Sequence, residues 1–453
     1  MASSASSYVT YVIDIFRDIK FSLIMLYIAT FVMRFSAYLC IALLGYTVDI
    51  TFRGIVIAFY SIMEILTVSF FGVYSDTNGR KPVLIISHVL TMVGVLLFAV
   101  LAFVHKELLT KDLVLIVFVY LPIMAILGAG AAAKVASTMT MIADESSIET
   151  RAQYMGFFDL ATLGGFGAGL AAGSILYTAL KFTLDMTYLI AIITVVVSVV
   201  MVILWVDETL TPKEQAQNKS ASTDHSLTRV MNVIEGNKDL QKLLPVYIPM
   251  ISLYGILVNT ASDLLKPSLE NGVSHALIIV IVLIGTFTGA SMLIMGKLSD
   301  KMRIRRPFII IGLFSLAILI SLFEYYAITA DTTGVGAFEG LYQIWPLTII
   351  LSWGLGMFPP AILAYLTDIS KKDTRGSMFG VYSVIFGGGM IIGPLISSAF
   401  AIVGKDIFPS YGELIGIIAC IFLMVILSSL GTLFLREKAF EEEPADKISQ
   451  SSL

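Results

Sequence analysis

The sequence predicts an all-α polytopic membrane protein in which twelve transmembrane helices form two pseudo-symmetric six-helix bundles. Of its 453 residues, 57% are hydrophobic and only 14% are charged, and the mean hydropathy is +0.90. Because a soluble domain carries roughly 25% charged residues, this composition excludes a soluble protein. The apolar runs are continuous rather than alternating, which favours helices over a membrane β-barrel. The number of these runs predicts twelve spans, and an internal repeat predicts that they form two related halves.

Twelve apolar runs are long enough to cross a bilayer, which takes about 20 residues in a helix. The predicted spans cover residues 21–46, 53–74, 83–104, 113–142, 153–178, 185–206, 243–264, 275–298, 307–328, 343–367, 378–402 and 411–435. The polar stretch between the sixth and seventh spans predicts a division into units. These are an N-terminal interfacial segment 1–20, a first bundle 21–206, a linker 207–242, a second bundle 243–436 and a tail 437–453.

The linker itself has two kinds of sequence. Residues 215–224 are polar with several small side chains, which predicts a flexible segment. From Leu227 onwards the apolar residues recur at helical spacing, which predicts a helix along the membrane surface.

The distribution of basic residues predicts the orientation. With twelve spans, 21 Lys and Arg fall on the side of the termini and the linker, 6 fall on the other side, and 2 lie inside spans. The positive-inside rule therefore places both termini and the linker in the cytoplasm. We expect a multi-pass protein of the cell membrane.

Two similar loops indicate that the halves are related. Gly72–Pro82 follows span 2 and Gly296–Pro307 follows span 8, and each has a Gly, an acid four residues later and a basic pair before a Pro. A shift of 224 residues aligns these loops and also later positions. The aligned pairs include Gly72 with Gly296, Asp76 with Asp300, Asp144 with Asp368, Arg151 with Arg375, Gly165 with Gly389, and Gly169 with Gly393. Because six spans separate the copies, the halves run parallel.

These motifs resemble those of the Major Facilitator Superfamily, and the resemblance covers nearly the whole chain. The loop signature of that family is met by Gly72, Asp76, Gly79, Arg80 and Lys81, and in the second half by Gly296, Asp300, Arg305 and Arg306. In span 4, Gly128 to Ala132 match the end of a signature of proton-coupled branches, but its Arg is replaced by Met124. In span 5, three glycines match the drug–proton antiporter signature, but Leu170 replaces its Pro and Ser174 its last Gly.

The resemblance implies that the two loops close the cytoplasmic side. Asp76 would lie at the start of span 11 and Asp300 at the start of span 5, where a helix favours a carboxylate by roughly 0.3–1 kcal/mol. We predict a latch that breaks when the transporter opens inward; the alternative is that these charges only set topology and solvate a loop. Its predicted members are Gly72, Asp76, Gly79, Arg80, Lys81, Asp144, Arg151, Gly296, Asp300, Arg305, Arg306, Asp368 and Arg375.

Four ionisable residues of the first half fall in mid-span. They are Arg34 in span 1, Glu64 in span 2, Lys134 in span 4 and Asp159 in span 5. Such residues are costly in a membrane, so each is a functional candidate. Arg34 and Glu64 lie equally far from the turn between their spans, and Lys134 and Asp159 almost so, which places each pair at one depth. The alternative is two static ion pairs that fix helix packing.

The resemblance also implies roles for these residues, since spans 1, 4, 7 and 10 line the cavity in that family. Arg34 and Lys134 would bind an anionic moiety or hold a carboxylate, and Glu64 and Asp159 would carry protons. A substrate that competes for Arg34 would release Glu64 to take a proton. The other predicted substrate-binding residues are Tyr38, Tyr254, Asn259 and Trp353, with Tyr382 as a further cavity residue. Packing between helices is the alternative for the residues of the second half.

We therefore predict a proton-coupled secondary transporter that exports an amphipathic or drug-like organic compound by alternating access. One alternative is a proton-coupled symporter of a small organic anion, such as a carboxylate, a peptide or a sugar acid. Another is a non-transporting receptor with the same fold. The four His residues show no metal-ligand spacing and no basic patch carries interleaved aromatics, so we expect neither an enzyme nor a nucleic-acid partner. We expect a monomer with no cofactor, driven by the proton gradient.

Overall fold

A computed structural model describes residues 19–104, 113–146, 151–221, 227–269, 274–302, 304–333, 335–368, 375–407 and 412–434. Within these ranges, twelve helices are long and apolar enough to span a membrane, which confirms the predicted number. Spans 1 to 6 are Phe21–Thr47, Ile50–Asn78, Arg80–Val104, Leu113–Glu145, Arg151–Ala179 and Leu184–Trp205. Spans 7 to 12 are Lys238–Leu269, His275–Met302, Arg306–Thr333, Trp345–Asp368, Arg375–Ile407 and Gly412–Thr432. Residues 1–18 of the predicted interfacial segment and the whole tail lie outside the described residues.

Span 10 is interrupted in its middle. It consists of Trp345–Leu355 and Phe358–Asp368, and a short helix, Ala337–Gln343, precedes it. Pro359 and Pro360 lack the backbone N–H that would continue the first helix, and they fall in the first turn of the second, where no such donor is needed. The two prolines therefore explain why the helix restarts here.

The repeat reappears in the packing of the two halves. In the first half, span 5 packs against span 1, and Gly169 faces the Phe35 carbonyl without a side chain between the two backbones. In the second half, span 11 packs against span 7, and Gly393 faces the Ser252 carbonyl in the same way. Small residues permit this close approach in a membrane, where packing rather than water holds helices together. Between the halves, span 2 packs against span 11, and span 5 against spans 8 and 10.

The linker contains more regular structure than its composition predicts. A helix, Pro212–Ala221, occupies most of the segment expected to be flexible, so that expectation was wrong for the described part. Thr211 and Glu214 form a capping box: the Glu214 amide donates to the Thr211 hydroxyl at 3.3 Å, and the Thr211 amide donates to the Glu214 carboxylate at 3.0 Å. The Thr211 hydroxyl also donates to that carboxylate at 2.6 Å. These hydrogen bonds lower the pKa of Glu214, so the acceptor stays charged at neutral pH. The predicted second helix is present as Leu227–Gly236.

We predict opposite effects for two alanine substitutions in span 5. In Gly169→Ala the new Cβ would lie 2.5 Å from the Phe35 carbonyl oxygen, and such overpacking costs about 1–3 kcal/mol. Gly167 is exposed and has open space around it, so Gly167→Ala should gain up to about 1 kcal/mol of helix propensity. The apparent unfolding temperature in detergent should fall for the first variant and hold or rise for the second. Equal changes of the unfolding temperature in both variants would contradict the importance of the close contact between Gly169 and Phe35.

Candidate functional site

Four charged side chains are buried together in the first half. Arg34, Glu64, Lys134 and Asp159 expose 3%, 2%, 0% and 4% of their surface. Glu64 lies within electrostatic range of both Arg34 and Lys134, and Lys134 within range of both carboxylates. The four residues therefore form one group whose formal charges cancel, which we call the charge cluster.

No member of the charge cluster makes a direct ion pair with another. All four residues are described, and no nitrogen of Arg34 or Lys134 comes within 4.0 Å of a carboxylate oxygen of Glu64 or Asp159. Arg34 instead donates a hydrogen bond to the Tyr60 hydroxyl at 2.6 Å. The Lys134 ammonium has no hydrogen-bond partner. One of the two carboxylate oxygens of Glu64 also has none. A buried charge without a direct partner costs several kcal/mol, so this arrangement favours binding a further group there.

Aromatic rings surround both cations. The Arg34 guanidinium lies 5.8 Å from the centroid of Tyr38, and the Lys134 ammonium lies 4.9 Å from that of Phe158. Within about 6 Å, the negative face of an aromatic ring attracts a cation. The rings thus offset part of the cost of burying Arg34 and Lys134 without neutralising either charge.

A series of ring contacts leads from the charge cluster to the second half. Tyr60 lies 6.4 Å from Tyr38, and Tyr38 lies 4.6 Å from Phe166. Phe166 of span 5 then meets Tyr254 of span 7 at 6.2 Å, and Tyr254 meets Phe358 of span 10 at 5.8 Å. Five spans therefore contribute to one aromatic surface, which we call the aromatic bridge.

The second half also brings phenol groups close to the cluster. Asp159 is within electrostatic range of Tyr247 and Tyr254 of span 7 and of Tyr382 of span 11, and Arg34 is within range of Tyr382. The structure thus places Tyr38, Tyr254 and Tyr382, all singled out from the sequence, around the charge cluster.

The other two predicted substrate-binding residues occupy different surroundings. The side-chain amide of Asn259 donates to the hydroxyls of Ser397 and Ser398, each at 3.0 Å, and Ser398 donates to the Ile50 carbonyl at 2.9 Å. This relay joins spans 7, 11 and 2, and it includes the end of span 2 opposite the Gly72–Pro82 loop. Trp353 is half-buried, and its carbonyl accepts from Ser291 at 2.5 Å. Among the described residues, no ring contact joins Trp353 to the aromatic bridge.

The first predicted latch loop is built around Arg80. Its side chain pairs with Asp76, lies 3.5 Å from an Asp144 oxygen and donates to Ser75 at 3.4 Å. These contacts tie the ends of spans 2, 3 and 4 together at one face of the molecule, which we call the loop face. Lys20 and Glu145 form a further ion pair there, and the hydrogen bond between them raises the pKa of Lys20.

Glu208 caps the start of span 3. Its two carboxylate oxygens accept from the backbone amides of Arg80 and Lys81, each at 3.0 Å. Gly79 makes this approach possible: its φ is +111°, and a Cβ there would lie 2.6 Å from a Glu208 oxygen. The glycine of the loop signature is thus required both by its backbone conformation and by the cap.

The second loop repeats one contact of the first. Arg305 donates to the Ser299 hydroxyl at 2.9 Å, as Arg80 donates to Ser75. Ser299 lies 224 residues beyond Ser75, and Arg305 lies 225 beyond Arg80 because the second loop has one extra residue before its basic pair. Gly296 packs near Pro360 of span 10. The side chains of the other predicted latch members in this region lie outside the described residues, so their contacts stay predictions; they are Arg151, Asp300, Asp368 and Arg375.

Several residues of the site were missed in the sequence, although some left a signal. Tyr60 precedes Glu64 by one helical turn and so shares its face, and Phe158 directly precedes Asp159. Phe166 and Phe358 are ordinary apolar residues in their spans and carry no such signal. Glu208 lies far from Arg80 in the chain, so only the fold brings the two together.

Comparisons with known proteins agree with this architecture. A sequence profile of the Major Facilitator Superfamily matches residues 23–330 and 327–451. The tetracycline resistance protein, class B, of Escherichia coli is 23% identical over 388 residues, which are 85% of this chain and 87% of that protein. The structure of the human organic anion transporter MFSD10 (TETRAN) matches with a TM-score of 0.56 and 16% identity, covering 91% of this chain and 98% of that one. A peptide transporter, POT, in complex with alafosfalin matches with a TM-score of 0.59 and 14% identity, covering 92% and 95%.

We predict that Glu208→Ala destabilises the loop face. The change removes a carboxylate that accepts from two amides at a helix start, and loss of such a cap costs about 0.5–2 kcal/mol. The apparent unfolding temperature should fall, whereas Glu235→Ala, at an exposed linker position, should leave it nearly unchanged. If both variants melt alike, the cap does not contribute to stability.

Proposed function

Because the chain belongs to the Major Facilitator Superfamily, we propose that it is a proton-coupled secondary transporter that exports an amphipathic organic compound by alternating access. The observation that carries this proposal is the charge cluster: two cations and two carboxylates are buried without a direct ion pair between them. A set of static ion pairs would hold helices together with its charges in contact. Charges held close but apart can instead exchange partners, which coupling requires.

The substrate chemistry follows from the surroundings of Lys134 and Arg34. An ammonium without a hydrogen-bond partner attracts an anionic group, and the aromatic bridge offers flat apolar surface beside it. We therefore infer a substrate with an apolar, ring-bearing body and one acidic group. The names of the tetracycline resistance relative and of the organic anion transporter support a substrate of this kind.

The carboxylates supply the proton side of the coupling. Arg34 and Lys134 both act on Glu64, so a substrate anion that draws either cation away leaves Glu64 with less compensation. Glu64 then takes up a proton, since an uncompensated buried carboxylate is costly. Asp159 stands in the same relation to Lys134. This order loads proton and substrate together, which is the coupling of a symporter. For export, Glu64 would instead take its proton from the outer side after the substrate has left, and release of that proton to the inside would return the carboxylates to the cations.

Alternating access requires a gate on each side. We infer that the loop face is cytoplasmic, as the count of basic residues indicates, with both termini on that side. The network around Arg80 would act there, and the relay from Asn259 through Ser398 to Ile50 would act on the outer side. Export requires the outer relay to break once substrate is bound.

A second candidate is uptake of a small organic anion by proton symport. The unpartnered Lys134 favours it, because an anion and a proton entering together would neutralise the same cluster. The site chemistry is shared with export, and only the order of proton and substrate binding differs.

Coupling is tested with two variants that each replace a buried Glu by Gln. The flux of a probe is measured in proteoliposomes with an imposed pH gradient. Glu64→Gln should bring gradient-driven flux of an anionic aromatic probe to background, because the variant cannot take up a proton, while probe exchange without a gradient persists. The matched control is Glu324→Gln: Glu324 is also fully buried, but it lies in span 9, outside the charge cluster. This control should keep gradient-driven flux.

Two results would remove the proposal. One is gradient-driven flux in Glu64→Gln equal to that of the unaltered protein, which would exclude Glu64 as a proton carrier. The other is a chain that neither moves any anionic or neutral amphipathic probe nor exchanges it, which would indicate a receptor. The side of the membrane on which the probe accumulates, compared with the acidic side of the pH gradient, distinguishes export from symport.

We predict that Lys134→Met lowers the affinity for an acidic probe by roughly 10- to 100-fold, since a hydrogen bond to a charged group contributes about 1.5–3 kcal/mol. The amide analogue of the same probe should bind the variant and the unaltered protein almost equally. Binding measured by fluorescence of the probe checks both. An equal loss for acid and amide would show that Lys134 supports the fold rather than recognising charge.

A further inference from the structure

A groove at the loop face lies apart from the charge cluster. It has a volume of about 350 Å³ and is lined by Lys238, Gln241, Lys242, Pro245 and Phe434. Lys238 to Pro245 form the first turns of span 7, and Phe434 follows the end of span 12. The two spans are pinned together just below, where Ser428 donates to the Val246 carbonyl at 2.8 Å. The groove is therefore a fixed feature of the span 7 and span 12 contact.

The groove carries positive charge that the described residues do not pair. Lys238 and Lys242 are four residues apart and so project from the same face of the helix. No carboxylate oxygen of a described residue lies within 4.0 Å of either ammonium group. Asp239 follows Lys238 by a single residue and so points away from that face. The open charge of the groove thus comes from the two ammonium groups.

The other polar groups at this helix end are already engaged. The Asn237 side chain accepts from the amides of Asp239 and Leu240, at 3.1 and 3.2 Å, and so caps span 7. Gln241 donates to the carbonyls of Ile234 and Glu235, at 3.2 and 2.8 Å. An anion in the groove would therefore be held by the lysines and not by an open helix end.

Beside the lysines the surface is apolar and exposed. Phe434 exposes 64% of its surface, and Leu430 and Leu433 of the same helix end expose 53% and 65%. Side chains of this kind at the end of a span face the acyl chains and the interface of a bilayer. The lysine stems reach from such surface toward the headgroups, as Lys commonly does at a membrane boundary. Cationic and acyl-facing surfaces thus adjoin at one level.

We propose that this groove binds the phosphate headgroup of an anionic phospholipid of the cytoplasmic leaflet. The phosphate would lie between Lys238 and Lys242, and the acyl chains would follow Leu430, Leu433 and Phe434. The cytoplasmic leaflet is the one that carries anionic lipid and attracts basic residues beside spans. Since Tyr247 lies five residues beyond Lys242 on span 7, a bound headgroup holds the loop-face end of a helix that reaches the charge cluster.

The experiment measures lipid binding to the full-length protein by native mass spectrometry in neutral detergent. Phosphatidylglycerol and phosphatidylcholine with the same acyl chains are titrated against the unaltered protein, Lys238→Gln/Lys242→Gln, and the charge-matched control Lys213→Gln/Lys297→Gln. Each basic residue near a membrane surface contributes about 1 kcal/mol, so the groove variant should bind phosphatidylglycerol roughly 30-fold more weakly. The control should bind it as the unaltered protein does. Inorganic phosphate and glycerol phosphate are added as competitors.

Each outcome decides the proposal. Selective loss in the groove variant, with little competition by the water-soluble phosphates, supports a lipid site. Equal loss in both double variants would overturn it, because general surface charge would then explain binding. Equal binding of phosphatidylcholine, or full displacement by inorganic phosphate, would also overturn it. The readout is binding, so the result is independent of whether the protein transports.

Discussion

The burial of four charges in the apolar interior of the first half is the constraint on which the site depends. In such surroundings, a charge is stable only if other charges, dipoles or rings act on it. Arg34, Glu64, Lys134 and Asp159 meet this condition collectively: their formal charges cancel, Tyr60 accepts from Arg34, and Phe158 lies against Lys134. Because no two opposite charges are in contact, each remains available to a substrate group or a proton.

The packing around this cluster divides into rigid and separable contacts. Within each half, glycines bring two backbones together, as Gly169 does with Phe35 and Gly393 with Ser252. Such contacts leave no room for a side chain between the two backbones. The aromatic bridge, by contrast, passes from one half to the other through the ring contact of Phe166 with Tyr254 at 6.2 Å. Rings can slide or separate without leaving a buried charge or an unpaired backbone group.

The sequence predicted what depends on long, regular patterns and missed what depends on distant neighbours. The number of spans follows from hydropathy. The depth of the charges follows from counting residues along antiparallel helices. Their direct partners do not, since rotation about a helix axis is set by packing. Counting residues left open whether Arg34 meets Glu64, and in the structure Arg34 donates to Tyr60. Glu208 caps two amides that lie 128 and 127 positions earlier in the chain. No local sequence pattern predicts such a contact.

In the proposed transport cycle, Asn259 would serve gating without touching the substrate. Asn259 was chosen as a cavity residue because its span lines the cavity in the family. Its amide instead holds Ser397 and Ser398, and Ser398 reaches Ile50 at the start of span 2. Parting spans 2 and 11 would leave the Ile50 carbonyl without this donor unless water enters to replace it. In the proposed cycle, water would enter on this side in the same step that the relay resists, so occupancy of the charge cluster would have to lower that resistance.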